Sequence, residues 1–322
     1  MNKPTSPQAS GQASNLLGLK RRLAQRQAFR QQIYQSHPQD VSYRYLTDFF
    51  HAQRSPLQTF TIHNQQNNIV NGEESTSIFF PKNCCVHLDN QEVKGEVCVE
   101  LREVRTKADM IFSNLPTTAE GRLLETGGMF YLNIHQSYLP LRLQTSLSVA
   151  LPLSNDLVNP LALRIYRGYS SFANGQSNAC IDWQEAENAS TRLERTLPHN
   201  SVSTSLRELQ WSNIAYPYRT YQRHQRKLWS IRPQADGKMD EVVAFMVFKN
   251  INSVARMYWQ RGRFIFYNVP TEQPFTVIAI GKTAKQFYYG TLEVENMQDV
   301  NAALNLQPIT EEELIMQIHY LG

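Results

Sequence analysis

The sequence predicts a mainly β protein: two β-sandwich-like domains, a basic helical arm ahead of them and a short helix at the end. Three observations carry that reading. Val97, Val99 and Leu101 alternate with Glu96, Cys98, Glu100 and Arg102, the period of two expected of a strand with one buried face. Leu139, Leu141 and Leu143, then Leu147, Val149, Leu151 and Leu153, repeat that period. Turn-rich text such as Asp89-Asn90-Gln91-Glu92-Val93-Lys94-Gly95 separates the short strands.

Taken in order, residues 1–14 are rich in Ser, Gln, Ala and Pro and read as a disordered tail. A helix is expected over 15–35, with Asn15 as N-cap and Leu16, Leu19, Leu23, Phe29 and Ile33 as an imperfect apolar stripe. Lys20, Arg21, Arg22, Arg26 and Arg30 crowd its remainder, and no acid precedes Asp40. Such an arm suits capture of an acidic partner or an anionic membrane surface; the alternative is that its stripe packs on the body. Residues 40–56, with Tyr43, Tyr45, Leu46, Phe49 and Phe50, read as a short packed helix, followed by a strand over 57–63. Gly127-Gly128 fits no nucleotide fingerprint and is expected to let a strand bend or bulge.

Polar text between Glu185 and His199 marks the best linker. Further strands are expected over 242–248, 264–267, 275–280 and 287–294. Thr310-Glu311-Glu312-Glu313 is a capping box opening a terminal helix, whose apolar face is Leu314, Ile315, Ile318 and Leu321. The division is therefore 1–40 tail and arm, 41–184 sandwich, 185–239 linker and basic-aromatic segment, and 240–322 second β-rich domain with its helix.

The spaced elements Phe80-Pro81, Asn83, Asp89 to Gly95, Val97 to Glu103, Ala108-Asp109-Met110-Ile111, Pro116-Thr117-Thr118 and Leu123-Leu124-Glu125-Thr126-Gly127-Gly128-Met129-Phe130 occur in one order. That order resembles the sandwich domain of ankyrins, netrin receptors and tight-junction scaffolds. It is closer still to bacterial, Bacteroidetes-type relatives in cell-envelope and surface proteins. Leu161 to Gly168 and Trp183 resemble the closing strand and tryptophan of the pattern. The resemblance implies a non-catalytic structural or adaptor module that binds other proteins, and an envelope or surface location. Cys84-Cys85 departs from it. A secretory leader is not read in the polar N-terminal text, which leaves the cytoplasm open as well.

At 322 residues, 41% hydrophobic and 19% charged, the composition is that of a globular protein with ample core. A net charge of +4 forces neither a nucleic-acid nor a membrane partner, and no apolar run approaches the ~18–20 residues of a membrane span. Four cysteines without paired spacing are read as free thiols, and eight scattered histidines include no H-E-x-x-H, so neither metal nor cofactor is expected. His135-Gln136-Ser137 faintly echoes the self-cleavage triplet of some eukaryotic relatives; with Gln in place of Phe, an intact chain is expected. Glu100, Glu103 and Asp109 are read as surface charge.

The remaining signal is a run without acids from Leu209 to Ala235. There and just beyond, Arg219, Tyr221, Arg223, Arg226, Trp229, Arg256, Trp259 and Arg261 interleave cations with aromatics. Rings between cations can stack bases or sugars while the cations meet phosphates, which makes nucleic-acid or glycan binding through 211–263 the alternative function. The same texture arises when strands bury their rings and solvate their arginines.

Overall fold

Burial on one side explains the first strands and burial on both sides explains the later ones. The computed structural model describes residues 43–153, 157, 159–171, 180–186, 191–192, 201–218, 226–295 and 301–322. The arm expected over 15–35 lies outside the described residues. Arg44–Gly322 forms one compact unit that is mainly β, with two sandwiches and helices α1 (Leu46–Gln53), α2 (Lys107–Phe112) and α3 (Glu311–His319).

The strands of the first sandwich are β1 (Gln58–His63), β2 (Asn68–Asn71), β3 (Ser77–Phe80), β4 (Cys85–His87), β5 (Glu96–Val104), β6 (Thr118–Ala119), β7 (Arg122–Gln136), β8 (Leu139–Leu143), β9 (Leu147–Pro152), β10 (Arg164–Ser171), β11 (Cys180–Glu185), β12 (Thr191–Arg192), β13 (Ser201–Leu206) and β14 (Gln210–Pro217). A nine-stranded sheet runs β1-β5-β7-β14-β10-β11, with β4, β6 and β8 attached at its margin. A five-stranded sheet, β12-β13-β9-β3-β2, packs against it. Val97, Val99 and Leu101 from one sheet meet Ile78, Val149, Leu151 and Val202 from the other, all within a few per cent of full burial. Each such side chain stabilises by about 1.5–3 kcal/mol.

Two expectations are corrected in this sandwich. Of the Leu139-Leu141-Leu143 alternation, Leu141 alone is buried, and Leu139 is exposed on the attached strand β8, where no second sheet covers it. Residues 201–217 do not lie in a linker. β13 pairs with β9, and β14 sits between β7 and β10, so this stretch supplies a strand to each sheet. β13 buries only every second residue of Ser-Val-Ser-Thr-Ser-Leu.

The second sandwich pairs a four-stranded sheet, β18-β19-β15-β22, with a five-stranded one, β17-β16-β20-β21-β23. These strands are β15 (Arg226–Gln234), β16 (Glu241–Phe248), β17 (Val254–Arg256), β18 (Tyr258–Gln260), β19 (Arg263–Pro270), β20 (Phe275–Lys282), β21 (Phe287–Val294), β22 (Asn301–Asn305) and β23 (Gln307–Ile309). Ala244, Met246 and Phe248 face the four-stranded sheet. On the other face the helices close over the strands: the Phe49 ring of α1 lies tilted 4.9 Å from Phe287, and Phe50 lies 6.3 Å from Phe245. Covered twice, β16 and β20 read as continuous apolar text instead of alternating. The terminal helix opens as its capping box requires, with Thr310 accepting from the Glu313 N–H.

Glu103, expected at the surface, is 2% exposed and organises the first sandwich from within. The strand loses its alternation after Leu101, because Arg102, Glu103 and Val104 are all buried. The Glu103 carboxylate accepts from the Thr76 N–H (2.9 Å), the Glu74 N–H (2.8 Å) and the Gln58 amide (3.0 Å). Arg105 lies 4.0 Å away and donates to the carbonyls of Gly127 (3.2 Å) and Pro152 (3.4 Å) and to Thr76 Oγ1 (2.9 Å). The guanidinium occupies the space above Gly128, where a Cβ would come within 2.2 Å of Nη1 and where φ is 146°. The register of β7 and β14 shifts at this point, so the glycine pair forms the bulge expected of it.

Removing one member of a buried charge pair leaves the other uncompensated. Glu103→Ala should therefore destabilise the protein by about 3–5 kcal/mol, while Glu73→Ala, on the exposed neighbouring turn, should change it little. Urea unfolding followed by circular dichroism measures both; equal midpoints for the two variants would refute the role given to Glu103.

Candidate binding face

The outer side of the nine-stranded sheet carries an ordered set of polar side chains. Because Val97, Val99 and Leu101 point inward, Cys98, Glu100 and Arg102 point outward along β5. The β5–β7 register sets His135 opposite Cys98, Asn133 opposite Glu100 and Tyr131 opposite Arg102, and β14 adds Trp211 beside Tyr131. Asn133 donates to Glu100 Oε2 at 2.9 Å, and His135 Nε2 lies 3.6 Å from Glu100 Oε1. The Tyr131 and Trp211 rings sit 5.5 Å apart.

A shallow cleft of 410 Å³ closes the upper end of this face, lined by Thr61, Glu96, Cys98, His135 and Tyr138 among others. Its rim is the two-residue turn between β7 and β8, where Ser137 (φ 50°) and Tyr138 (φ 67°) are both left-handed, as tight hairpins require. Gln136 pins this turn by donating to the carbonyls of Lys94 (2.8 Å) and Glu96 (2.9 Å). Tyr138, 94% exposed, lies parallel to the His135 ring at 6.1 Å. Burial, and then the charge of Glu100, push the Cys98 thiol up. That opposes thiolate formation at neutral pH.

Glu100 was legible in the sequence as an outward carboxylate, but its partners were not, since His135 is 35 positions distant and only strand register joins them. Asp109, read as surface charge, is 5% exposed and is the third helical residue in the capping box of α2, accepting from the Oγ1 of the capping residue Thr106 at 2.7 Å. Cys84 and Cys85 are free and buried, their sulfurs 3.6 Å apart. Asn64 organises this corner, donating to the Cys85 and Val93 carbonyls and accepting from the Cys85 N–H.

The basic-aromatic residues separate. Lys20, Arg21, Arg22, Arg26, Arg30, Arg219, Tyr221 and Arg223 lie outside the described residues, and Arg226 is placed only as the first residue of β15. Trp229 does not belong to a surface: it is 1% exposed, edge-on to Phe275 at 5.4 Å within the second core. Strand alternation turns it inward beside Ile231. Arg256 is half-buried and donates to Asn114 Oδ1 at 3.1 Å. Trp259 and Arg261 remain exposed at the β18–β19 hairpin; Tyr258 and Tyr267 are exposed there too, on the sheet face opposite Trp259.

No protein-family model and no curated protein matches the chain. Among the described residues, no group of three or more His, Cys, Asp or Glu side chains is placed to hold a metal ion. Among them, too, no helix is long and apolar enough to cross a membrane.

The geometry around Cys98 sets its reactivity. Iodoacetamide should label Cys98 slowly at pH 7 and progressively faster as the pH passes the ordinary thiol range, and Glu100→Gln should accelerate it severalfold by removing the charge that opposes the thiolate. Peptide mapping by mass spectrometry resolves it from the fully buried Cys84 and Cys85; an unchanged rate in the variant would contradict the electrostatic link.

Proposed function

We propose that the protein is a non-catalytic structural or adaptor component that binds another protein within an assembly. One observation carries this reading. The edge hairpin β18–β19 presents Tyr258, Trp259 and Tyr267 with 47–50% of each exposed. Half-buried aromatics are stiff, large contact surfaces, and such residues supply a disproportionate share of interface energy. Trp259 is braced edge-on by Phe264 at 4.9 Å, and Tyr267 by a hydrogen bond to Gln260 at 2.9 Å, so little side-chain freedom is left to lose on docking. The family resemblance supports an assembly at a cell envelope, and the basic arm from Lys20 to Arg30 suits an acidic surface of the same partner.

The cations at this hairpin support a second reading. Arg261 and Arg232 are exposed and Arg263 is half-buried, so the rings stand among positive charges suited to nucleic acid or glycan. Protein docking is preferred because β18 is a short sheet edge, three residues long, rather than a groove that could track a strand.

The test compares affinity-purified wild type with the Tyr258→Ala/Trp259→Ala variant. The protein that co-purifies stoichiometrically with wild type should bind the variant about 30-fold more weakly in a reconstituted titration, the loss of a hot spot worth about 2 kcal/mol. Undiminished binding by the variant would remove the hairpin from the interface. Single-stranded oligonucleotide binding that falls steeply with salt and is lost in the variant would establish the second reading instead.

A further inference from the structure

We propose that the outer face of the nine-stranded sheet holds an oxyanion-binding site built on Arg102 and Arg54, for a carboxylate, phosphate or sulfate group. This site is separate from the β18–β19 hairpin and does not rest on the protein-docking reading.

The starting observation is an unsatisfied buried cation. Arg102 is 7% exposed, and its Nη1 is enclosed without a hydrogen-bond partner. Among the described residues its side chain forms neither a hydrogen bond nor an ion pair. Arg105, three positions on, differs in degree: its Nε is also unpartnered, but its two terminal nitrogens have Glu103, two carbonyls and a hydroxyl around them. Buried polar groups in folded proteins are almost always paired, and a bound ion or ligand is one physical account of an exception of this kind.

The neighbours deepen the imbalance. The acid nearest on the same strand face, Glu100, is engaged by Asn133 and His135. Gln58 is opposite Leu101 in the β1–β5 register, so the segment leading from α1 into β1 passes beside Arg102 and delivers Arg54 to it. The Arg54 side chain, half-buried, is likewise without a hydrogen bond or ion pair among the described residues. Burial first, and then Arg54, push the Arg102 guanidinium down to about 10, leaving it charged at neutral pH. His51, on the last turn of α1, is lowered by burial and by both arginines against the opposing charge of Asp48. Two cations are therefore held side by side; Tyr131 and Glu100 offset part of the effect on Arg102, but neither is hydrogen-bonded or ion-paired to it. A group offering two oxygens to two guanidiniums removes the repulsion and fills the vacant donors, and a planar guanidinium fork is shaped for such a group. Arg54 is the less buried of the pair, and Tyr131 stands opposite Arg102 in the β5–β7 register.

The experiment titrates the full chain with sodium sulfate, sodium phosphate and sodium malonate at constant ionic strength, with sodium chloride as the control. Isothermal titration calorimetry and thermal melting are the readouts. Saturable binding of at least one oxyanion is expected, with a matching rise in Tm that chloride does not produce. Arg102→Met should abolish it, and Arg54→Gln should weaken it about tenfold, the loss expected on deleting a charge-assisted hydrogen bond. A carboxylate ligand is indicated if malonate binds tightest, and a phosphoryl or sulfuryl group if phosphate or sulfate does. Should Arg102→Met fail to fold, Arg54→Gln decides alone, since its side chain lies at a helix end and is half exposed. The proposal is overturned if no oxyanion differs from chloride, or if binding is unchanged in whichever variant folds.

Discussion

The Glu103–Arg105 pair is the constraint on which the rest of the architecture depends. It is not large as a source of net stability, because taking both charges from water offsets most of their attraction. Its value lies in what must be in place around it. The carboxylate is satisfied only when the turn carrying Glu74 and Thr76 lies over β5, and the guanidinium only when the β7 bulge and the end of β9 meet it. One register in each sheet meets all those conditions. Slipping a strand by one residue would strand a charge in the core as well as invert the apolar pattern.

The same bulge connects the two sandwiches. Below Gly127, β7 leaves the first sheet's curvature and the Thr126 N–H donates to the Asn252 carbonyl at 3.0 Å, while the Asn252 amide returns a bond to the Thr126 carbonyl at 3.0 Å. Thr117 continues the seam, its N–H donating to Val254 O at 2.7 Å and its hydroxyl lying 2.6 Å from Ser253 Oγ. Trp183, fully buried, donates its indole N–H to Pro116 O at 2.7 Å and anchors the segment that leads there. Backbone hydrogen bonds of this kind make the junction directional, so neither half is a bead on a string.

What could be read directly from the sequence was local: the alternation of Val97, Val99 and Leu101, the Thr310 cap and the glycine bulge each announce themselves within a few residues. What could not be read depends on pairing across distance. Glu103 looks like any strand carboxylate until β3 and Arg105 surround it, and Trp229 looks like part of an aromatic-basic surface until the five-stranded sheet covers it. The stretch over 201–217 fell between the two expected domains, yet it supplies a strand to each sheet of the first sandwich. Of the candidate binding residues, Trp259 and Arg261 were visible as a local cluster. Arg102 was not, since nothing in Glu100-Leu101-Arg102-Glu103 says which charge is left without a partner.

The docking of α1 has a consequence for how the chain is made. Phe49 and Phe50 are covered by Phe287 and Phe245, which leave the ribosome some 200 or more residues later. At ordinary elongation rates of about 5–20 residues per second, that interval is on the order of ten seconds to a minute. Throughout it the helix has no sheet to lie on, and the first sandwich lacks β13 and β14 for most of the same period. The nascent chain thus carries its aromatic helix and an open sheet edge ahead of the strands that cover them.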